Sequence, residues 1–272
     1  MTKIMGIINI TPDSFSDKHL NNGEIISHEF FLDQFENMVK AGAHIIDIGA
    51  ESTRPNATPL SDEQEWSRLK PYIEILAAQK KLMGKLPVEI SIDSYHPKTI
   101  ENCLKLGVID YINDVSGLNN KQMIEVAKKS NLKVIFMHSL TVPADKNIMI
   151  SSDDDEIKIL NNFAKKKISE LEKAGIAKDK IIFDVGLGFG KSTKQSYNIV
   201  KNIDKFKKLG VELLVGHSEK SFLSLFTNKQ AGERWLETAI FSSFLASKNI
   251  NYIRVHDVEL NARAIKLKDI FL

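Results

Sequence analysis

The chain has 272 residues, 43% hydrophobic and 26% charged, with 14 glycines and 7 prolines, which is the balance of an ordinary globular protein and excludes disordered, collagen-like and low-complexity classes. Its 37 basic and 35 acidic residues leave a formal charge of +2, so no strong overall field draws nucleic acid or an acidic membrane surface. An anionic ligand has to be held by local charges.

Asn9 and Pro12 interrupt the short apolar run at the start, and no small-residue cleavage site follows. The opening segment is therefore expected to be folded structure rather than a signal peptide. Ile4–Asn9 is the first predicted strand, and Phe31, Phe35, Met38 and Val39 form the apolar stripe of a first helix that stops at Gly42. His44–Ile48 comes next, then a capping-box pattern of Ser61 and Gln64 ahead of Trp66, Leu69 and Ile73, with Pro71 placed to kink that helix. Val88–Asp93 leads to Pro97, suited to a first helical turn, with Ile100, Cys103 and Leu104 facing inward and Gly107 as the stop. Tyr111–Asn113, Lys133–His138, Ile181–Asp184, Glu212–Gly216 and Tyr252–His256 are the remaining strands. Further helices are expected near Lys121–Lys129, Asp153–Ala174, Gln195–Leu209, Arg234–Ser247 and Leu260–Ile270. Eight strand–helix alternations with no composition shift predict one α/β domain over residues 1–272, a closed (β/α)8 TIM barrel, with an open doubly wound sheet as the alternative. No apolar stretch approaches the length that spans a bilayer, and the lone Cys103 excludes an intrachain disulfide and fits a reducing, cytoplasmic compartment.

Barrel enzymes carry their chemistry where strands end. Here those positions hold Asn9, Glu51-Ser52-Thr53-Arg54, Asp93, Asn113, His138, Asp184, Ser218 with Lys220, and Arg254 with His256. The acceptors Asp93, Asn113 and Asp184 suit the N–H edge of a planar amino-heterocycle, and the donors Arg54, Lys220, Arg254 and His256 suit a phosphate or pyrophosphate. A phosphorylated heterocycle satisfies both sets. Any single strand-end Asp could equally be a helix cap. His44 and His138 read as structural, Cys103 as core, Lys165-Lys166-Lys167 as a solvated helix face, and Asp153–Glu156 as a helix N-terminus. The run Gly186–Ser192 is not a P-loop, because Val185 stands where its first Gly is needed, so its glycines are read as backbone lying close to a flat ligand.

At these residues the chain resembles the dihydropteroate synthase family of pterin-binding barrels. The motifs, in order, are Gly6–Asp17, Glu51-Ser52-Thr53-Arg54-Pro55, Ile92-Asp93-Ser94, Ile112–Gly117, Asp184 with Gly186–Lys191, Gly216–Ser221 and Arg254–Val258. The family joins 6-hydroxymethyl-7,8-dihydropterin pyrophosphate to p-aminobenzoate, with Mg2+ on the departing pyrophosphate. The resemblance implies that Asp93, Asn113, Asp184 and Lys220 hold the pterin, and that Thr53, Pro55, Phe189 and Ser218 receive p-aminobenzoate. It places Asn9, Arg54, Arg254 and His256 on pyrophosphate, with Asn9 also at the metal. It implies a catalytic set of Asp17, Lys220 and Arg254, with Phe15 beside Asp17 on a closing first loop. A homodimer with small-molecule substrates is the expected state.

Three positions depart from the family pattern. Val185 replaces a usual Pro, Asn56 a usual Gly, and Glu219 a usual Arg between Ser218 and Lys220. The first two are expected to alter loop stiffness, the third to repel anionic p-aminobenzoate. Two other activities use the same acceptors: methyl transfer from a methylated folate to a corrinoid, which leaves Arg54, Arg254 and His256 without a pyrophosphate, and a non-catalytic pterin-binding paralogue, which Glu219 motivates.

Overall fold

Eight parallel strands pair in chain order and close on themselves, β8 lying against β1. The computed structural model describes residues 1–11, 26–54 and 57–271. The strands are β1 Lys3–Asn9, β2 Ile45–Gly49, β3 Glu89–Asp93, β4 Tyr111–Asp114, β5 Lys133–Met137, β6 Ile181–Asp184, β7 Glu212–Val215 and β8 Tyr252–Val255. They alternate with α1 His28–Lys40, α2 Asp62–Met83, α3 Pro97–Leu106, α4 Lys121–Ser130, α5 Glu156–Ala174, α6 Thr193–Lys201, α7 Trp235–Ser247 and α8 Val258–Phe271. The closed TIM barrel expected from the alternation is what the chain forms, and the open sheet is excluded. No helix among the described residues is long and apolar enough to cross a membrane.

Alternate residues along a strand share a face, and this turns the short strand sequences into a layered interior. Met5, Ile45, Tyr111, Ile135, Ile182, Leu214 and Tyr252 form a separate buried cluster, which plugs the barrel. Each fully buried side chain of this size contributes roughly 1.5–3 kcal/mol relative to exposure. Below the plug, Lys3 pairs with Glu89 at 2.9 Å and Lys133 with Glu212 at 2.7 Å, while the Tyr111 and Tyr252 hydroxyls donate to Glu89 and Glu212. Two residues further along β2, β4, β6 and β8 stand Asp47, Asn113, Asp184 and Arg254. The polar mouth is thus built directly on an apolar floor. The outer core lies between the strands and the helices, and includes Phe31, Leu69, Ile100, Cys103, Leu160 and Phe206.

Helix boundaries follow their caps. Ser61 and Gln64 form the reciprocal capping box, and Pro71 sits inside α2 without ending it. Pro97 opens α3, and Gly107 closes it in the left-handed conformation at φ 67. The helix expected from Asp153 begins at Glu156, because the Asp155 carboxylate caps it by accepting the Lys158 N–H. The segment expected as one helix over Gln195–Leu209 is two. A second capping box, Ser192 with Gln195, starts α6, which stops at Asn202 before a 3-10 turn over Ile203–Leu209. The Lys165-Lys166-Lys167 reading needs correction at its third member. Lys165 and Lys166 are exposed, but Lys167 is buried and its Nζ donates to the Leu118 carbonyl at 3.1 Å and pairs with Glu170 at 3.0 Å.

Candidate active site

An arginine between two carboxylates occupies the centre of the mouth. Arg254 Nε donates to Asp47 Oδ2 at 2.6 Å and its Nη2 donates to Asp93 Oδ2, also at 2.6 Å. Asn113 Nδ2 donates to the same Asp47 oxygen at 3.0 Å. Asp47 is fully buried, and its Oδ1 has no hydrogen bond among the described residues. Burial drives the Asp93 carboxyl up to about 7, Arg254 pulling against that shift and Asp47 adding to it. Burial also works against the Arg254 charge, but the attraction of Asp47 and then Asp93 exceeds it, and the guanidinium stays protonated.

Asp184 and Lys220 stand on the β6–β7 side. Asp184 Oδ1 accepts the Gly186 N–H at 2.8 Å. Burial raises the Asp184 carboxyl, opposed by that N–H and by the charges of Lys220 and Arg254. Burial brings Lys220 down to about 8, with Asp184 pulling it back up. Its Nζ lies 4.6 Å from the centre of the Phe189 ring, a cation–π contact that fixes the two as a pair. Ser218 Oγ and His256 Nδ1 are 2.9 Å apart, and the same oxygen accepts the His256 backbone N–H at 3.3 Å. Burial first, then the charges of Arg254, Arg54 and Lys220, lower His256 to about 4, so the imidazole that shares a hydrogen bond with Ser218 is neutral.

The loop after β6 is held from within. Lys191 is buried, and its Nζ donates to the carbonyls of His138, Gly186 and Phe189 at 3.0, 2.8 and 2.9 Å. Burial lowers Lys191 to about 7. It also lowers His138 to about 3, with the Lys191 charge adding to the shift. His138 is therefore neutral at physiological pH and serves the loop through its carbonyl, in keeping with its structural reading. Gly186 has φ +64, and a Cβ there would fall 2.1 Å from the His138 carbonyl oxygen. Gly190, at φ +70, would collide with Leu140 at 2.5 Å. Packing against the β5 loop therefore requires these two glycines, and only Gly188, whose Cβ would sit 3.7 Å from Lys220, borders the mouth as the sequence reading had it.

Asn9 ends β1 at the rim, and its side-chain amide has no hydrogen-bond partner among the described residues. Thr53 and Arg54 are on the β2 loop, where the Thr53 carbonyl accepts the Ala144 N–H at 3.2 Å. The Arg54 guanidinium forms no hydrogen bond or ion pair among the described residues. Phe15, Asp17 and Pro55 lie outside the described residues. Asp47 and Lys191 were not singled out from the sequence. A carboxylate within the run Ile45-Ile46-Asp47-Ile48 was the available signal, because a charge inside a buried strand needs a partner.

Glu219 turns away from Ser218 and Lys220, which removes the ground for the repulsion expected from its neighbours in sequence. Its φ of 59 is left-handed, and its Oε2 accepts the N–H groups of Gly232 and Arg234 at 2.6 and 3.2 Å. Arg234 reciprocates through Nη1 to the Glu219 carbonyl at 3.2 Å. Glu219 thus clasps the approach to α7. Glu219→Ala is expected to lower stability by about 1 kcal/mol, since part of the clasp is exposed. It should leave the Michaelis constant for p-aminobenzoate within about twofold. Urea unfolding and steady-state kinetics check the two halves, and a markedly changed constant with unchanged stability would contradict the clasp.

Barrel closure, a ring of acceptors on an apolar floor and flanking cations define a pterin-binding barrel. The pterin binding enzyme family matches residues 5–256. The chain is 37% identical over 269 residues to the folate synthesis bifunctional protein of Chlamydia caviae, covering 97% of this chain but 58% of that relative's length. A crystal structure of dihydropteroate synthase from Anaplasma phagocytophilum with bound 6-hydroxymethylpterin-monophosphate superposes with a TM-score of 0.86, at 36% identity, covering 100% of this chain and 99% of that one. The Xanthomonas albilineans dihydropteroate synthase with 4-aminobenzoic acid gives 0.87 at 29% identity, covering 99% of this chain and 93% of that one. The chain belongs to the pterin-binding enzyme family, and within it to the dihydropteroate synthases.

Proposed function

We propose that the chain catalyses condensation of 6-hydroxymethyl-7,8-dihydropterin pyrophosphate with p-aminobenzoate to 7,8-dihydropteroate. The observation that carries this reading is the set of Asp93, Asn113, Asp184 and Lys220 facing one mouth above an apolar floor. The pterin and 4-aminobenzoic acid seen in the two related enzymes support it. Asp93, Asn113 and Asp184 take the ring N–H edge, and the protonated Lys220 takes a ring acceptor. Arg54 and His256 contact the pyrophosphate, while Arg254 contributes its charge from between Asp47 and Asp93. Thr53, Pro55, Phe189 and Ser218 bound the p-aminobenzoate side.

The methylene C–O bond breaks and pyrophosphate leaves with the electron pair. The neutral aniline nitrogen then forms the C–N bond and gives up a proton to water. Preorganised cations favour the departure because its charge develops where they already point. Asp17, on the first loop, stabilises the transient pterin cation. Asn9, whose amide has no hydrogen-bond partner among the described residues, offers one neutral oxygen, which fits a Mg2+ ion held mainly through phosphate oxygens and water. When bound, that ion neutralises charge on the leaving group. Purified protein incubated with both substrates and Mg2+ should release pyrophosphate and dihydropteroate in equal amounts. Tight pterin binding without either product would overturn the reading in favour of a binding protein.

Lys220 gives this reading a pH dependence. Its pKa of about 8 means the charge that holds the ring is present below pH 8 and lost above it. The ratio kcat/KM for the pterin should therefore fall above about pH 8, while Lys220→Arg, which stays charged, should show no such limb. The same limb in both proteins would assign it to another group.

A homodimer is supported by apolar side chains left uncovered near the C-terminus. Phe226 precedes α7, Leu236 and Ile240 lie on α7, and Leu267 lies on α8, each more than half exposed at 52, 64, 58 and 55%. Sedimentation equilibrium should give twice the chain mass, and Ile240→Glu should give the monomer.

A further inference from the structure

We propose that Glu51, Glu65 and His96 form a binding site for one divalent transition ion of the zinc or cobalt kind, beneath the β2 loop and apart from Asn9. The three residues come from the end of β2, from α2 and from the residue that precedes α3. One carboxylate oxygen from each Glu and one His96 ring nitrogen lie within 4.8 Å of one another. Ligand atoms around a tetrahedral ion stand about 3.4 Å apart, so closure needs small side-chain movements and no change in the backbone.

The Glu65 carboxylate points to an occupant. The residue is fully buried, its Oε2 accepts the Ser94 hydroxyl at 2.6 Å, and its Oε1 has no hydrogen-bond partner within bonding distance among the described residues. The neighbouring Thr99 hydroxyl, 3.5 Å from the Asp62 carbonyl, together with Ser94 opposes the upward shift that burial imposes on the Glu65 carboxyl. A buried carboxylate oxygen without a donor is costly, and a bound cation would offset that cost.

The atoms behind the three ligands are already held, as they are around metals in proteins. His96 Nδ1 contacts Asp62 Oδ1 at 2.9 Å, which fixes the ring and leaves Nε2 toward Glu51 Oε2, also at 2.9 Å. Glu51 Oε1 accepts the Tyr95 hydroxyl and, at 3.3 Å, the Leu60 N–H. The charge balance favours a dication. Three carboxylates, from Glu51, Asp62 and Glu65, surround one imidazole, and the lysine on Asp62, Lys98, stands 4.0 Å away and 61% exposed.

Imidazole with carboxylates selects zinc, cobalt or manganese over magnesium and calcium, which prefer oxygen alone. Binding replaces the proton between His96 Nε2 and Glu51, so one ion enters and a proton is released. Because Glu51 also holds the Leu60 N–H, the ion ties both ends of the loop that carries Thr53 and Arg54. This inference does not depend on the proposed activity, and its test reads metal alone.

Chelator-stripped full-length protein is titrated with Zn2+ and with Co2+ by calorimetry in two buffers of different ionisation enthalpy, with Co2+ absorption recorded in parallel. The expected result is one equivalent bound, with proton release and a Co2+ visible band. Glu65→Gln and His96→Gln, confirmed folded by circular dichroism, should each weaken it at least tenfold, and Asn9→Ala should not. A wild-type protein that takes up no stoichiometric ion, or a folded Glu65→Gln variant with undiminished affinity, overturns the proposal. The wild-type titration can overturn the proposal even if one variant fails to fold, and the other variant then locates the ion.

Discussion

Replacing Arg254 with alanine is expected to lower the unfolding free energy by about 3 kcal/mol, the low end for breaking a buried charge pair because the side chain keeps some exposure. Arg254 compensates two carboxylates at 2.6 Å, and Asp47 is fully buried. Without the guanidinium, Asp47 retains only the Asn113 amide, and Asp93 faces it with no cation between them. The sign is fixed by which charges remain. Arg254→Ala removes the attraction that holds the Asp93 carboxyl down against its burial, so Asp93 takes up a proton at neutral pH while Asp47 stays buried without its cation, and adding Asp47→Asn should recover part of the loss. The pair also frames Asp93 and Asn113, so Arg254→Ala should weaken binding of pterins with and without phosphates, rather than the phosphorylated form alone. Urea midpoints of the two variants and calorimetry with both pterins check this. An unchanged midpoint would show that Asp47 and Asp93 are held by something other than Arg254. A loss confined to the phosphorylated pterin would return Arg254 to the pyrophosphate.

The strand ends were legible where a strand closes on a polar residue after a mostly apolar run, as β6 does in Ile182-Phe183-Asp184 and β3 in Ile90-Ser91-Ile92-Asp93. Parity then sends those side chains to the mouth. Asp47 was missed because it precedes the end of its strand by two residues, where attention to strand ends does not reach. Lys167 was misread for a related reason. A run of three lysines looks uniformly solvated, but each helical residue turns about 100° from the last, and the third falls beside Ala164, Ile168 and Leu171 on the buried face. Glu219 shows the limit of adjacency. Its flanking residues face the site, yet a left-handed φ of 59 turns its own side chain toward the start of α7. The Glu51–His96 cluster gathers residues from separate elements, and no spacing rule within one element foretells it.

Asp184→Asn is expected to weaken pterin binding by about 1.5–3 kcal/mol, which is roughly ten- to over a hundredfold in the dissociation constant. The two carboxylate oxygens have different tasks. Oδ1 accepts the Gly186 N–H at 2.8 Å and thereby fixes the turn at φ +64, while the second oxygen remains for the ring N–H edge. Asparagine keeps the first acceptor but removes the charge and turns one acceptor into a donor. The loop should therefore hold, and the loss should come from the ligand contact. Alanine removes both, frees the Gly186 N–H and releases one anchor of the segment that Lys191 ties from the other side. Asp184→Ala should consequently lose stability as well as affinity, and its Phe189–Lys220 contact should loosen. Calorimetry with an unphosphorylated pterin measures the affinities, and urea unfolding separates the two variants. Near-normal pterin affinity in a folded Asp184→Asn protein would remove Asp184 from the ring. Equal stability losses in both variants would mean that the charge, rather than the Gly186 hydrogen bond, holds the loop.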